Sequence, residues 1–318
     1  IIMLFLIAIA GPIRKNNNEL YNKLKSEYVK ETDEDRVINR LYSLELIDWF
    51  KNEITMVSDQ SLGNYILYYV LFEKKWIKID ELITIAFPNY RQKVIYALNT
   101  LKELFNSEEL NHYMEKGIVA AWDNAPENQE NEYLESFYSV NPDKALGIIK
   151  RRIDNEKNVD FDLHNFDVEK NKNYQVIKTK EIEILGGYKY TDSFEDTLDL
   201  LLLYFSKRPD LVMDFYFTIT KHLMYDKYSR HGKYRQEAIV LEKLWGASQE
   251  GTNYNNTILY LHIAEYALKT EVSCHEETRN SKAIKFIRMP ITFDDEIAAL
   301  RRNIWETVGV LRKKEEYY

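Results

Sequence analysis

SFEDTLDLLLLYFSKRPDLVMDFYFTITKHLM, from Ser193 to Met224, is the stretch that decides the fold. Its two apolar segments, one on each side of Pro209, predict two helices that meet at a proline hinge. Proline suits the first position of a helix because its missing N–H would have no intrahelical partner there. The first helix carries Leu at 198 and at 200–203. A helix that is apolar all round is expected to lie in the interior.

A related pattern lies 67 positions earlier, where FYSVNPD at 137–143 matches YFSKRPD at 204–210. In both, an aromatic-rich helix ends in Ser, and Pro-Asp opens the next helix. A repeated helix–hinge–helix unit is typical of stacked helical arrays. The sequence therefore predicts a mainly α fold, a helical-repeat array of the TPR or HEAT type. We expect Pro142 and Pro209 at matching corners of successive layers.

The composition agrees with a helical protein and limits its chemistry. Only 10 Gly and 6 Pro leave few turn residues, which favours long helices over many short strands. The formal net charge of −8 argues against phosphate binding through net charge alone. The single cysteine, Cys274, permits no disulfide within the chain and agrees with a cytoplasmic location.

The chain opens with ten apolar residues, IIMLFLIAIA. This run is too short to cross a bilayer, which needs about 20 residues. We interpret it as a core helix or strand and residue 1 as an interior position of a longer protein. Residues 1–30 would then be the tail of an upstream domain. A signal peptide is the alternative, because Ala8-Ile9-Ala10 resembles a cleavage site, although no basic segment precedes it.

Residues 31–78 have the order of a winged-helix-like module. A helix capped by Thr32, a turn at 48–52, a short strand at 54–57 and a helix capped by Asp59 follow one another. Two helices joined by a partly extended loop are the alternative. Helical patterns then define a first helical-repeat section at 79–190 and a second at 191–318. The first includes a polar insertion at 155–173 and a flexible break at Gly186-Gly187.

No established catalytic motif is present. The sequence lacks GxxxxGK[ST], GxGxxG and GxSxG. Cys274-His275-Glu276-Glu277 lacks the second His of HExxH, so we expect a surface loop there. Asp160, Asp162 and His164 alternate and would share one face of an extended segment, where they could bind a metal. A solvated loop is the alternative, and a hydrolase or nuclease would require these three side chains to converge in a cleft.

One segment is locally basic and rich in tyrosine. Its five cations against Asp226 give a formal +4, and three tyrosines lie among them: Lys221, Lys227, Arg230, Lys233 and Arg235, with Tyr225, Tyr228 and Tyr234. Such interleaving suits contacts with nucleic-acid phosphates and bases. The alternative is a solvated connector between helices whose tyrosines pack on neighbouring elements.

Two segments carry a resemblance to a known family. RLYSLELIDWFKNEITMVSDQSLGNYILYYVLFEKK at 40–75 is similar to the winged-helix segment that follows the nucleotide-binding core of bacterial STAND NTPases. FIRMPITFDDEIAALRRNIWETVGVL at 286–311 resembles a segment within the helical sensor arrays of these proteins. Helices that open with Pro-Asp, as at Pro142 and Pro209, are also typical of such arrays.

The resemblance implies a C-terminal fragment, a winged-helix remnant and a helical array, that senses a protein trigger. The fragment would relay this trigger to an upstream NTPase domain of its own chain in the bacterial cytoplasm, without a membrane. ATP and Mg would bind only that upstream domain, so no catalytic or cofactor residue carries over to this segment. Many members of the family act in antiphage defence. The residues alone leave a protein-binding scaffold and a nucleic-acid-binding helical module open.

Overall fold

The computed structural model describes residues 1–14, 18–29, 34–50, 54–171, 177–249, 254–277, 284–291 and 293–313. The chain is mainly α-helical, as the sequence predicts, and is consistent with a helical-repeat array. It divides into two compact units, Ile1–Asn141 and Pro142–Tyr318. This division falls inside the predicted section 79–190.

Unit 1 combines helices with a small sheet. Its elements are α1 (Ile2–Ala10), β1 (Ile13–Arg14), α2 (Glu19–Tyr28), α3 (Glu34–Ser43), β2 (Ile47–Phe50), β3 (Ile54–Val57), α4 (Gln60–Tyr68) with a π-helical turn (Tyr69–Glu73), α5 (Ile79–Ala86), α6 (Arg91–Phe105), α7 (Glu108–Asp123) and α8 (Glu130–Phe137).

Unit 2 consists of helices and one hairpin. Its elements are α9 (Pro142–Asn155), α10 (Val168–Asn171), α11 (Lys180–Leu185), α12 (Phe194–Lys207), α13 (Val212–Thr218) with a π-helical turn (Ile219–Leu223), α14 (Arg235–Gln249), α15 (Tyr254–Ala267), β4 (Glu271–Glu277), β5 (Ile284–Pro290) and α16 (Asp295–Leu311).

The apolar N-terminal run is a buried helix. Phe5 and Leu6 of α1 are fully buried, and α1 packs against α2, α4 and α6. Burial of apolar side chains from water stabilises this arrangement, at about 25 cal/mol per Å². Within the described parts of the chain, no helix is both long enough and apolar enough to cross a membrane.

The sheet of unit 1 is antiparallel, in the order β1-β3-β2. The turn that we predict at 48–52 is wrong for its first part, because residues 47–50 form β2 and pair with β3 from Ile47–Val57 to Phe50–Ile54. Ile47 is buried while its neighbour Asp48 is exposed, and this alternation is typical of a half-buried strand. Residues 51–53 lie outside the described residues.

The helix, hairpin and helix follow in the expected order, but the winged-helix assignment stays a prediction. The carboxylate of Asp59 accepts a hydrogen bond from the N–H of Leu62 at 3.0 Å, which confirms the predicted cap of α4. The other predicted cap, Thr32, lies outside the described residues.

The central helix pair is only partly interior. The apolar side chains along one face of the second helix are buried, from Val212 to Leu223 across α13 and its π turn. The prediction that the first helix lies wholly in the interior is wrong, because α12 exposes Leu203. Asp199 and Glu195 lie on the same side of α12, one and two turns before Leu203 respectively, and keep this side in water.

The two Pro-Asp sites have different surroundings. Pro209 opens a 3₁₀ turn between α12 and α13, which both belong to unit 2, and Phe205 packs against Phe215 across it with ring centroids 5.1 Å apart. Pro142 opens α9 at the start of unit 2, whereas the preceding helix α8 belongs to unit 1. The expected equivalence of the two corners is therefore not met.

Two further local predictions are corrected. Gly186 does not form a flexible break: it is buried at the start of a 3₁₀ turn, Gly186–Tyr188, that continues α11. A Cβ at Gly186 would lie 2.9 Å from Cγ2 of Thr218, so close packing explains the glycine. Cys274–Glu277 does not form a surface loop but belongs to β4, which pairs with β5 in an antiparallel hairpin.

Candidate functional site

A buried lysine in unit 2 joins three segments that are distant in sequence. Lys189 directly follows the 3₁₀ turn Gly186–Tyr188. Asp226 and Ser229 lie in the connection between the π turn of α13 and α14, and Glu237 lies in the first turn of α14. We call Lys189, Asp226, Ser229 and Glu237 the Lys189 cluster.

The ammonium group of Lys189 donates to oxygens from all of these segments. Its Nζ lies 2.9 Å from Oε1 of Glu237, 3.1 Å from Oδ2 of Asp226 and 3.3 Å from Oγ of Ser229. It also donates to the backbone carbonyl of Met224. Lysine offers only three N–H donors, so these four acceptors share them and more than saturate the ammonium group.

The cluster places a buried carboxylate and a partly exposed one around one buried cation. The side chain of Lys189 is 5% exposed and that of Glu237 is 0% exposed. The Ser229 hydroxyl donates to Oε1 of Glu237, while Oε2 of Glu237 has no partner in the described part of the chain. Removing one member of a buried ion pair leaves an uncompensated charge, so loss of Lys189 would destabilise the packing of these three segments.

Asp226 connects the buried cluster to the surface. Its carboxylate accepts a hydrogen bond from the hydroxyl of Tyr190 at 2.7 Å and backbone N–H bonds from Tyr228 at 2.7 Å and Ser229 at 3.1 Å. Burial acts to raise the pKa of Asp226, but the Tyr190 hydrogen bond and the Lys189 charge outweigh it and lower the pKa overall. Burial, followed by the bond to Asp226, raises the pKa of Tyr190.

Two exposed tyrosines adjoin the Lys189 cluster at the surface of unit 2. Tyr190 is 51% exposed and Tyr228 is 55% exposed, and their rings meet edge-to-face with centroids 6.0 Å apart and planes at 86°. Nζ of Lys189 lies 5.1 Å from the ring centroid of Tyr190. We call Tyr190 and Tyr228 the tyrosine platform. The Tyr190 hydroxyl is bonded to Asp226, and the Tyr228 ring contacts the Tyr190 ring, although about half of the surface of each tyrosine remains in water.

Three exposed cations lie on the connection that carries Tyr228. Lys227 lies 5.0 Å from the Tyr228 ring centroid, and Arg230 and Lys233 are exposed on the same connection. Arg230 lies 3.9 Å from Asp294, and Lys233 lies 3.6 Å from Glu296 near the start of α16. Exposed pairs of this kind contribute only about 0–1 kcal/mol, so both cations can turn to a ligand.

The connection itself has an unusual backbone. Lys233 and Tyr234 adopt φ values of 53° and 56°, in the left-handed region that non-glycine residues seldom occupy. The Tyr234 N–H donates to the carbonyl of Ser229 at 2.9 Å, and the Tyr234 side chain is buried. The packing of Tyr234 therefore holds a turn that its backbone alone disfavours.

Two of the three tyrosines of the predicted basic segment are buried, whereas its cations are exposed or lie elsewhere. Tyr225 and Tyr234 are buried and pack edge-to-face at 6.0 Å, so only Tyr228 is open to a ligand. Lys221 lies over the Phe217 ring at 4.9 Å, before the connection begins, and Arg235 is exposed at the first position of α14.

Asp160, Asp162 and His164 do not converge. All three are exposed, because the alternating residues Phe161 and Leu163 are held inward by Asn255. The Asn255 side chain accepts from the Leu163 N–H at 3.0 Å and donates to the Phe161 carbonyl at 2.7 Å. Across the described ranges, no group of three His, Cys, Asp or Glu residues is arranged to hold a metal ion.

The Lys189 cluster is not predicted from the sequence. Asp226 enters the sequence-based prediction only as one negative charge in a basic segment. Lys189 and Glu237 belong to no motif, because each is an isolated charged residue in sequence. Lys189 does lie between Tyr188 and Tyr190, but nothing local indicates that its partners come from 37 to 48 positions later.

Comparison with protein-family models, curated proteins and solved structures finds no match to this chain.

Proposed function

We propose that this chain is a recognition module that binds a segment of another protein, with the tyrosine platform of unit 2 as its contact surface. The observation that supports the proposal most is the exposed Tyr190–Tyr228 pair fixed on the Lys189 cluster. Tyrosines supply large contact areas and are enriched among residues that dominate binding energy. Because the Tyr190 hydroxyl is already bonded to Asp226, the Tyr190 side chain loses little entropy on binding.

The charge around the platform defines the chemistry of its ligand. Lys227 lies by the Tyr228 ring, and Arg230 and Lys233 are exposed on the same connection, whereas Asp226 is already bonded to Lys189 and Tyr190. A segment that carries Asp or Glu beside apolar or aromatic side chains complements this surface. We therefore propose an acidic protein segment as the ligand.

The resemblance to STAND NTPases places this activity in a larger process. In our proposal the helical units capture a protein trigger, and the capture is relayed to an NTPase domain of the same chain. The mainly α-helical fold and the exposed, preorganised platform support a sensor role rather than a catalytic one. The exposed and separated positions of Asp160, Asp162 and His164 give no reason to propose a hydrolase.

A peptide selection tests the proposal. A random peptide library is selected against the full chain and counter-selected against the Tyr190→Ala/Tyr228→Ala variant. We expect acidic peptides to be enriched and to lose about tenfold or more in affinity for the variant. Enriched peptides that bind both proteins equally would refute the platform as the binding surface.

Nucleic-acid binding is the second candidate, because Lys227, Arg230 and Lys233 are exposed beside an exposed tyrosine. Burial of Tyr225 and Tyr234 removes two of the three predicted stacking rings. A fluorescence-anisotropy titration with single-stranded DNA and RNA at several salt concentrations decides between the candidates. Binding that weakens steeply with salt and disappears in Lys227→Ala/Arg230→Ala would favour nucleic acid over protein.

A further inference from the structure

Unit 2 contains a pocket between α14, α15 and α16 that the tyrosine platform does not use. Its volume is about 290 Å³. It is lined by Ala238, Leu241, Glu242 and Trp245 of α14, Tyr260 of α15, and Leu300, Asn303, Ile304, Glu306 and Thr307 of α16. The pocket extends along α14 for about two turns and begins at Ala238, directly after the cluster residue Glu237.

The inner part of the pocket is aromatic and apolar. The rings of Trp245 and Tyr260 pack with centroids 5.4 Å apart, and Leu300 and Ile304 form a wall of α16. The Tyr260 hydroxyl is already engaged by the hydroxyl of Thr307. The aromatic faces are therefore the main feature that the interior offers to a ligand.

The charged residues of the pocket are both acidic. Glu242 and Glu306 are exposed and line it, on α14 and α16 respectively, and no Lys, Arg or His belongs to the lining. Neither carboxylate forms an ion pair with a described residue. Arg302 lies one turn before Glu306 on α16, yet it is not within ion-pair distance. The pocket therefore combines an indole face with uncompensated negative charge.

This combination selects for a cation with an apolar stem. An indole face attracts a guanidinium or ammonium group, and carboxylates accept its N–H donors. Guanidinium is the better match, because it is planar, stacks on aromatic rings and is more weakly hydrated than ammonium. The volume is at the lower limit of small-molecule sites, about 300–1,000 Å³, and suits one side chain rather than a nucleotide.

We propose that this pocket binds an arginine side chain of the bound protein, with the guanidinium on Trp245 and between Glu242 and Glu306. The protein origin of the arginine rests on the proposed function, whereas the guanidinium preference rests on the pocket alone. The bound protein would then present an acidic segment to the platform and an arginine to the pocket.

The test uses the full chain and N-acetyl-arginine-methylamide as the probe. The indole N–H resonance of Trp245, assigned with Trp245→Phe, reports binding. We expect saturable shifts with a Kd of about 1–10 mM, as befits one small group. The citrulline analogue, which has nearly the same shape without the charge, is expected to bind at least about fivefold more weakly.

Paired variants identify the residues. Glu242→Gln/Glu306→Gln is expected to weaken binding about threefold to tenfold, because each partly solvated carboxylate contributes a modest amount. Glu195→Gln, which removes the same kind of charge from α12, is expected to leave it unchanged. Equal binding of the citrulline analogue, or an unchanged affinity of the double variant, would overturn the proposal.

Three outcomes separate this inference from the proposed function. Free arginine that binds more than about tenfold tighter than the capped probe would indicate a small-molecule site and overturn the protein origin. A loss of peptide binding in Tyr190→Ala/Tyr228→Ala with unchanged probe binding would support two independent sites. No shift at Trp245 with any guanidinium compound would overturn the pocket while leaving the platform intact.

Discussion

A single buried lysine organises the candidate site. Lys189 is surrounded by Glu237, Asp226, Ser229 and a backbone carbonyl, and its ammonium compensates the charge of the buried Glu237 carboxylate. This arrangement fixes the loop of Tyr190 against the connection that carries Tyr228. Its stability and its geometry therefore depend on the same contacts.

Lys189→Met is predicted to destabilise the chain by about 3–5 kcal/mol, because it leaves the buried carboxylate of Glu237 without its cation. Urea denaturation measures this change. The double variant Lys189→Met/Glu237→Met is expected to recover part of the loss. Lys243→Met is the matched control, since its ion pair with Asp199 at 2.7 Å is solvent-exposed and contributes at most about 1 kcal/mol. Equal effects of the two single variants would contradict the role of burial.

The lowered pKa of Asp226 predicts an acid-sensitive contribution to stability. A carboxyl whose folded pKa is below its unfolded value of about 3.9 stabilises the fold fully above that value. This contribution is lost as the pH falls through the folded pKa. Unfolding free energies measured from pH 7 to pH 2.5 should therefore fall less steeply below about pH 4 in Asp226→Asn than in the wild type. Parallel curves for the two proteins would show that Asp226 gains nothing from its partners.

At the scale of elements, the positions of the helices can be predicted from the sequence more directly than the elements against which they pack. The helices on either side of Pro209 and the Asp59 cap of α4 are predicted correctly, because apolar periodicity and caps are local signals. The strand at 47–50 is not predicted, because it depends on pairing with β3, which is a contact between separate segments. The Lys189 cluster is not predicted for the same reason, since its members come from three separate segments.

Gly186→Ala tests the packing of the 3₁₀ turn against the π turn of α13. The new methyl group would lie 2.9 Å from Cγ2 of Thr218 and 3.2 Å from Cβ of His222, so we expect a loss of about 1–3 kcal/mol. Gly147→Ala is the control within α9, where no atom lies within 4 Å of the added Cβ. It is expected to stabilise the chain by about 0.5–1 kcal/mol. Thermal or urea unfolding that shows the same sign for both would refute this packing.

At the scale of the whole molecule, the division into two compact units at Asn141 and Pro142 is not predicted from the sequence. The matching motifs at 137–143 and 204–210 predict repeated corners, but one motif spans the division between the units and the other lies inside unit 2. A local motif indicates where one helix ends and the next begins. It does not indicate which neighbouring elements those helices pack against.

Each unit is predicted to fold on its own when the chain is divided between Asn141 and Pro142. Both fragments lie within the usual domain range of about 50–250 residues and have buried apolar residues of their own. Each should show helical circular dichroism and a cooperative urea transition. A fragment that unfolds gradually without a transition would show that its core needs the rest of the chain.

The calorimetric affinity of a selected acidic peptide for the full chain and for Tyr228→Ala tests the central claim most directly. Tyr96→Ala, which changes an equally exposed tyrosine of unit 1, is the control. We predict that Tyr228→Ala weakens binding about tenfold or more, while Tyr96→Ala leaves it unchanged. An affinity that is the same for all three proteins would contradict recognition through the tyrosine platform.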